Sequence, residues 1–265
     1  MNDDLIHILG REANVFGISL GAKQKQLFAV YYDEFQVWNE KINLTSIANG
    51  ISFVSKHFID SLLPLAMIPR EAKKILDLGT GGGLPGIPLK IARPDLEVVL
   101  LDASRKKTSF LKHVIAKLGL SGIQAVTGRA EDFCHKDRWA ETYDVVISRA
   151  AFKLGYFMEI GSPFLRTDGL LIAMKGHDLA FTEEEEGRAA AEKYGMRHIE
   201  TYKTTLPCFA ETTLEPSWGT KGQSNHEVAS RRDAHTTAMT NNDVFSGALE
   251  NGRSIIAYKK TACFS

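Results

Sequence analysis

Residues 75–88, Ile-Leu-Asp-Leu-Gly-Thr-Gly-Gly-Gly-Leu-Pro-Gly-Ile-Pro, restrict the fold more than any other stretch of this chain. The apolar run from Ile75 to Leu78 predicts a strand, which ends in a turn where Gly79, Gly81 and Gly83 alternate, and a helix is expected from Pro85. A strand, a glycine turn and a helix start, in that order, let backbone amides approach an anionic or polar ligand group closely. A second apolar run, Val98 to Leu101, closes on Asp102, the position at which a carboxylate accepts ribose hydroxyls. The plainer role for Asp102 is a strand-end carboxylate capping the helix that begins near Arg105. Its place after the glycine turn favours the ribose.

From Lys73 onward, short apolar runs alternate with helical periodicity. Strands are expected at 74–78, 97–102, 123–127, 143–148 and 170–174, with helices near 85–92, 105–118 and 152–165. Ser104 can cap the second helix, Phe110, Leu111, Val114, Ile115 and Leu118 face inward, and Gly119 ends it. This alternation means βαβ units and a doubly wound parallel sheet. An acidic helix from Glu183 follows, read as a solvated face, then a strand near 197–203 and a last one from Ser254 to Tyr258. Ahead of the sheet, Leu27, Val30, Tyr31, Phe35 and Trp38 form one helical stripe. Phe53, Val54, His57, Phe58, Ser61, Leu62 and Leu65 form another, and both read as core-facing packing. The expected organisation is an N-terminal helical cap at 1–70 and a main domain at 71–265. Within the latter, 211–252 is rich in Thr, Ser, Asn and Gly without any period, and reads as an irregular insertion.

With 265 residues the chain suits one large α/β domain carrying a modest appendage. A formal net charge of zero announces no nucleic acid, so any such contact must come from a local patch. The three cysteines, Cys134, Cys208 and Cys263, show no CxxC pair and no metal-ligand spacing, which argues against a disulfide framework or a metal site. The acidic start, Met1-Asn2-Asp3-Asp4, is unlike a signal peptide, and no apolar stretch is long enough to span a bilayer. A cytoplasmic protein with no membrane partner is expected, monomeric by default.

Nicotinamide and flavin enzymes share GxGxG, but dinucleotide sites typically use G-x-G-x-x-G for the pyrophosphate. Here the glycines alternate, with Asp77 two residues before the first, which resembles the first motif of class I methyltransferases. Gly128-Arg129-Ala130-Glu131-Asp132 after the third strand resembles their adenine-binding edge, although Glu131 can equally start a short helix. One extra strand after the parallel set resembles their seven-stranded, mostly parallel sheet with an antiparallel final strand. Together these features favour S-adenosylmethionine as cofactor and a Rossmann-like α/β fold.

The wording around these motifs resembles one family closely, the bacterial RsmG/GidB methyltransferases. The matching residues are Trp38-Asn39, Asn43-Leu44-Thr45-Ser46, His57-Phe58-Ile59-Asp60-Ser61, Asp77-Leu78-Gly79-Thr80-Gly81 and Gly83-Leu84-Pro85-Gly86-Ile87-Pro88-Leu89. They continue with Leu101-Asp102-Ala103, Lys106-Lys107, Phe110-Leu111, Arg129-Ala130-Glu131, Ile147-Ser148-Arg149-Ala150 and Lys175-Gly176. The resemblance runs from about Ile18 to Leu206 and resumes at Arg253-Ser254-Ile255-Ile256. Gly82 stands where the family usually has proline, which is expected to loosen the loop. Lys107 stands where arginine is common and loses the bidentate fork. The insertion has no counterpart in compact members.

The resemblance implies methylation of a guanine of small-subunit (16S) rRNA at ring nitrogen 7, with the rRNA or the 30S ribosomal subunit as partner. It implies that the backbone around Gly79, Gly81 and Leu84 contacts the cofactor, that Ala130 and Glu131 hold its adenine end, and that Arg149 lies beside the transfer pocket. Arg149, at the carboxyl end of the fourth strand, can meet a methionyl carboxylate or an RNA phosphate; its plainer role is a surface ion pair. Lys106, Lys107 and Arg129 would add a basic rim for phosphates, or merely a solvated helix face. His57 and Asp60 fall on one helix face, where a structural bond between cap and sheet is the simpler role. Nitrogen 7 carries a lone pair and no proton, so no general base is required and alignment can supply most of the acceleration. Accordingly Ser148-Arg149-Ala150-Ala151 stands where an exocyclic-amine enzyme would show Asn/Asp-Pro-Pro-aromatic, and Cys134 has no nucleophile motif around it. The rival readings are a methyltransferase of the same fold acting on another RNA, a non-catalytic RNA-binding or assembly factor, and, last, a nicotinamide oxidoreductase.

Overall fold

The computed structural model of the protein describes residues 1–47, 50–176, 181–206 and 252–261. The expected insertion at 211–252 lies outside the described residues except for Gly252, which opens a strand.

Seven strands form one sheet: β1 (Lys74–Leu78), β2 (Glu97–Asp102), β3 (Ile123–Thr127), β4 (Tyr143–Arg149), β5 (Leu165–Gly176), β6 (Met196–Thr205) and β7 (Gly252–Lys260). Their order is β3-β2-β1-β4-β5-β7-β6. The first five pair in parallel and β7 runs antiparallel between β5 and β6. Strands buried on both faces carry continuous apolar runs, which is why 75–78 and 98–101 lack alternation. On one face Ile75, Val98, Leu100, Val145 and Ile172 pack under α5 (Gly86–Ala92) and α6 (Arg105–Leu118). On the other, Leu76, Leu101, Val146, Leu171 and Tyr258 pack under α7 (Leu154–Gly161) and α8 (Phe181–Lys193).

The helices ahead of the sheet are α1 (Asp3–Val15), α2 (Ala22–Ile42), α3 (Gly50–Phe53) and α4 (Asp60–Leu62), with a π-helical turn, Val54–Ile59, between the last two. Phe28, Tyr31, Phe35, Phe53 and Phe58 are fully buried and belong to the same apolar core as Ile75, Ile87 and Leu100. Phe53 meets Phe58 edge-on at 5.2 Å, Phe28 meets Phe58 tilted at 4.9 Å, and Tyr31 stacks on Phe58 at 5.6 Å. The helical stripe expected around Phe53–Leu65 is therefore a helix interrupted by a widened turn. Val54, Ser55, His57, Phe58 and Ile59 are all buried there, so the segment has no solvent face except near Lys56.

Three local differences from the sequence expectation have simple causes. The helix expected to reach 165 ends at Gly161, because Pro163 cannot continue it and supports a 3-10 turn, Ser162–Phe164. The strand expected at 170–174 consequently begins at Leu165. In the acidic run Glu185 and Glu186 are exposed as expected, but Glu183 is half-buried: its carboxylate accepts the Leu154 N–H at 2.9 Å and pairs with Lys175 at 2.6 Å, capping α7 from another element.

Cap and sheet are joined by charge as well as by apolar packing. Asp60, 2 % exposed, meets Arg149 at the end of β4 at 3.0 Å and Arg253 at the start of β7 at 2.9 Å. Each guanidinium takes a different carboxylate oxygen. Replacing Asp60 with alanine strands two partly buried cations, so Asp60→Ala is expected to lower unfolding stability by about 3–5 kcal/mol, measured by urea denaturation.

Candidate functional site

The glycine turn is held from three sides. Asp77, fully buried at the middle of the β1 run, accepts the Thr80 hydroxyl at 2.6 Å and the Gly86 N–H at 2.9 Å, both on Oδ2. One carboxylate thereby ties the start of the turn to the start of α5. Asp102 takes the Gly81 N–H at 2.9 Å on one oxygen and the Ser104 N–H at 2.8 Å on the other. From the cap, the Tyr31 hydroxyl donates to the Gly82 carbonyl at 2.5 Å. At Gly82, Phe35 fills the space where a side chain would stand, 2.5 Å from an added Cβ. Gly79 has φ of +67° and a Cβ there would lie 2.8 Å from Ala151, so only glycine lets the loops after β1 and β4 approach this closely.

Beside this turn a cleft of about 360 Å³ opens at the carboxyl ends of the parallel strands. It lies where the strand order reverses between β1 and β4, the usual ligand position of open α/β sheets. Gly79, Asp102, Lys107, Arg129, Ala130 and Glu131 line it, together with Ala151, Phe152 and Tyr156. Chain segments far apart in sequence thus converge on one cavity. Ala130 and Glu131 sit in a 3-10 turn (Ala130–Asp132) after β3. The Tyr156 hydroxyl donates to the Glu131 carboxylate in a short bond, which holds Glu131 below the usual carboxylate range and pushes the Tyr156 phenol up.

The remaining sequence candidates lie elsewhere. Gly81 stands behind Asp102, its N–H already committed. Leu84 is 5 % exposed in the core under α5. Lys106 is exposed on the outer face of α6, away from the cleft lining. Arg149 points into the cap, donating to the Lys56 carbonyl at 3.0 Å and to Asp60. His57 lies 2.9 Å from the Thr45 hydroxyl through Nε2. Ser104, not Asp102, is the residue that caps α6, through its hydroxyl and the Lys107 N–H. Cys134 is buried, with its thiol against the Glu131 carbonyl. Phe152 and Tyr156 escaped the sequence reading. Their spacing of four residues at a helix start places both rings on one side, 5.8 Å apart, and was the available signal.

Two buried groups near Arg149 titrate abnormally. Burial, opposed by the bonds from Thr80 and Gly86, raises Asp77 to about 6. Burial and the neighbouring Arg149 guanidinium lower His57 to about 3, so its imidazole is neutral at physiological pH.

Comparison with known proteins adds an independent line. Residues 24–209 match the family described as GidB: rRNA small subunit methyltransferase G. A protein of Desulforamulus reducens named ribosomal RNA small subunit methyltransferase G is 42% identical over 207 residues, 77% of this chain and 85% of the relative. One of the same name from Syntrophus aciditrophicus is 40% identical over 73% of this chain and 80% of its own length. Another, from a Roseiflexus strain, is 37% identical over 76% and 86%. Among solved structures, a SAM-dependent O-methyltransferase of Thermotoga maritima superposes with a TM-score of 0.51 at 13% identity. It covers 78% of this chain and 66% of that one, and shares the fold.

The abnormal pair generates opposing pH dependences. Asp77 binds its proton more tightly folded than unfolded, so its contribution to stability falls as pH rises from about 4 to 6. His57 binds its proton more weakly folded, so its contribution rises with pH from about 3 to 6.5. Each slope approaches about 1.4 kcal/mol per pH unit, and between pH 4 and 6 they offset one another. Urea denaturation across that range should show Asp77→Asn gaining stability with rising pH and His57→Gln losing it, with the unmodified chain between them.

Proposed function

The chain belongs to the rRNA small subunit methyltransferase G family, and from that premise we propose that it transfers a methyl group from S-adenosylmethionine to nitrogen 7 of a guanine in small-subunit (16S) rRNA. The observation that carries this reading is the convergence of Gly79, Asp102, Ala130 and Glu131 on one cleft at the strand-order reversal. No helix among the described residues is long and apolar enough to cross a membrane, and we place the activity in the cytoplasm, performed by a monomer without metal on free rRNA or the 30S subunit.

The residues fit the cofactor. About 360 Å³ lies within the roughly 300–1,000 Å³ of small-molecule pockets. Gly79 lets Ala151 and Phe152 close against the turn to form one wall of the cleft, and Asp102 offers a fixed carboxylate at the β2 end for a ribose diol. When bound, S-adenosylmethionine supplies an electrophilic methyl group on a sulfonium centre. In this reading Asp102 holds the ribose, Ala130 and Glu131 hold the adenine, and the Gly79 backbone and Phe152 wall shield the sulfonium side from water, with Gly81 acting from behind through its bond to Asp102. Leu84 acts from beneath, by packing the turn. Guanine nitrogen 7 presents its lone pair already deprotonated, so the protein's contribution is alignment and exclusion of water. No side chain is assigned as a base. Arg149, bonded to Asp60 and to the Lys56 carbonyl, is a positioning residue that sets the cap against the pocket mouth.

Tritium from labelled cofactor should enter small ribosomal subunits that lack the modification, and borohydride followed by aniline should cleave the strand at the labelled guanine. Label absent, or at another atom, overturns the substrate assignment. Asp102→Ala is expected to weaken S-adenosylhomocysteine binding at least about tenfold, the loss of one charge-assisted hydrogen-bonding group, as read by calorimetry.

A further inference from the structure

The zero net charge of the chain conceals a separation between two helices. α6 carries Arg105, Lys106, Lys107, Lys112 and Lys117 and no acidic residue. α8, on the other face of the sheet, carries five glutamates against one arginine and one lysine. On α6 the core takes Thr108, Phe110, Leu111, Val114 and Leu118. At 3.6 residues per turn, that burial leaves Arg105, Lys106, Ser109, Lys112, His113 and Lys117 on one continuous outer arc, and all are exposed. The helix starts at the cleft, where Lys107 contributes to the lining, and its 14 residues extend about 21 Å from it.

Local physics disfavours this arrangement unless an anion is present. Three cations occupy the first turn of α6, against the positive end of the helix dipole, where acidic residues are the stabilising choice. Each is a conflict between local preference and sequence, of the kind that marks functional surfaces. Among the described residues the one carboxylate paired with the arc, Glu34 of α2, lies 2.7 Å from His113 and 3.7 Å from Lys117. It lies toward the far end. Arg105, Lys106 and Lys112 have no carboxylate partner among the described residues. α2 runs antiparallel to α6, since Gln24 and Leu27 lie near Leu118 while Trp38 meets Phe110. Lys41, in the last turn of α2, therefore lies toward the cleft end beside an equally exposed Glu40, so that turn leaves the net charge of the arc unchanged.

We propose that the outer face of α6, through Arg105, Lys106 and Lys112, is a phosphate track that holds the backbone of the substrate RNA as it leaves the cofactor cleft. The track rests on the rRNA reading of the same site and adds to it the path of the bound strand. Binding through such a face is sequence-independent and salt-dependent, because each phosphate neutralised releases counterions. The acidic α8 on the opposite face repels a strand placed there, so the charge separation also sets which face meets RNA.

The test is a triple variant, Arg105→Gln with Lys106→Gln and Lys112→Gln, in the full chain. Glutamine keeps helix propensity, and Lys107 is left in place to preserve the cleft. Affinity for in-vitro transcribed small-subunit rRNA is measured by filter binding over a range of KCl concentrations, in parallel with methyl transfer and S-adenosylhomocysteine calorimetry. The track predicts a loss of about 10- to 100-fold in RNA affinity near 0.1 M salt, and a log K against log salt slope shallower by about 2 to 3. Cofactor affinity and thermal midpoint should stay unchanged, and Arg197→Gln, on the opposite edge strand β6, should leave the slope unaltered. A triple variant that keeps both affinity and slope overturns the track even where methyl transfer proceeds, and so does an equal loss from Arg197→Gln. An unmodified chain that binds rRNA with the steep slope but transfers no methyl overturns the catalytic reading and leaves the track standing. An unmodified chain that binds no RNA overturns both.

Discussion

A carboxylate removed from water underlies the site. Asp77 is fully buried, and its burial is offset by two donors that belong to the two ends of the glycine turn, the Thr80 hydroxyl and the Gly86 N–H. The bonds convert a turn of flexible residues into a fixed backbone, since the sharp path between β1 and α5 is closed by one rigid group. Asp102 fixes the middle of the same turn from β2, and Tyr31 fixes Gly82 from the cap. A loop held from strand, neighbouring strand and cap has no soft direction. The cleft beside it inherits its shape from those three contacts, and glycine at position 79 is what lets the Ala151–Phe152 wall close against the turn.

The cap belongs to this arrangement and is more than a cover. Its aromatic residues share one core with α5, α6 and the sheet, and Phe35 occupies the space that a side chain at position 82 would need. Asp60 then links the cap to β4 and to β7, so strands distant in sequence are referenced to one buried oxygen pair. The π-helical turn at Val54–Ile59 immediately precedes Asp60 and carries His57. Widened helical turns recur at functional positions because they re-aim side chains that an α-helix would point elsewhere. Here Asp60 follows that turn and reaches both arginines.

The central strands were legible because double burial writes β2, the middle of β4 and the middle of β7 as apolar runs, whereas the edge strands β3 and β6 are partly exposed and were read from their place in the succession. The class I methyltransferase fold, with its antiparallel last strand, follows from that succession. What escaped was set by distant contacts. Nothing local in Glu183 reveals that it caps α7, since its partners Leu154 and Lys175 lie 29 and 8 residues away. The π-turn was hidden because its stripe of apolar residues has the same spacing as a helix. Of the site, Asp102 and Ala130–Glu131 could be singled out from position after a strand, a local signal. Phe152 and Tyr156 belong to the wall only through the approach of the β4 loop to Gly79, a tertiary event. Arg149 shows the limit most clearly. Its place at a strand end suggested the crevice, but a buried carboxylate in the cap competes for the guanidinium, and that carboxylate is invisible from the strand.

A reaction that needs no proton transfer shifts the protein's task from side-chain chemistry to backbone placement. An enzyme built on a general base depends on one group whose removal abolishes turnover. In this site the groups that line the cleft include a glycine backbone, a fixed carboxylate and aromatic walls beside Lys107, Arg129 and Glu131, and in the proposed reaction they act by position. The residues that govern turnover are then those that hold other atoms still. Asp77, Tyr31 and Asp60 touch the turn or the cap rather than the cleft, yet each determines where the lining stands. Displacements on the order of 1 Å suffice to lose about 100-fold in an alignment-driven reaction. In the proposed reaction the buried polar network beneath the glycine turn therefore contributes by positioning, through the cleft it shapes.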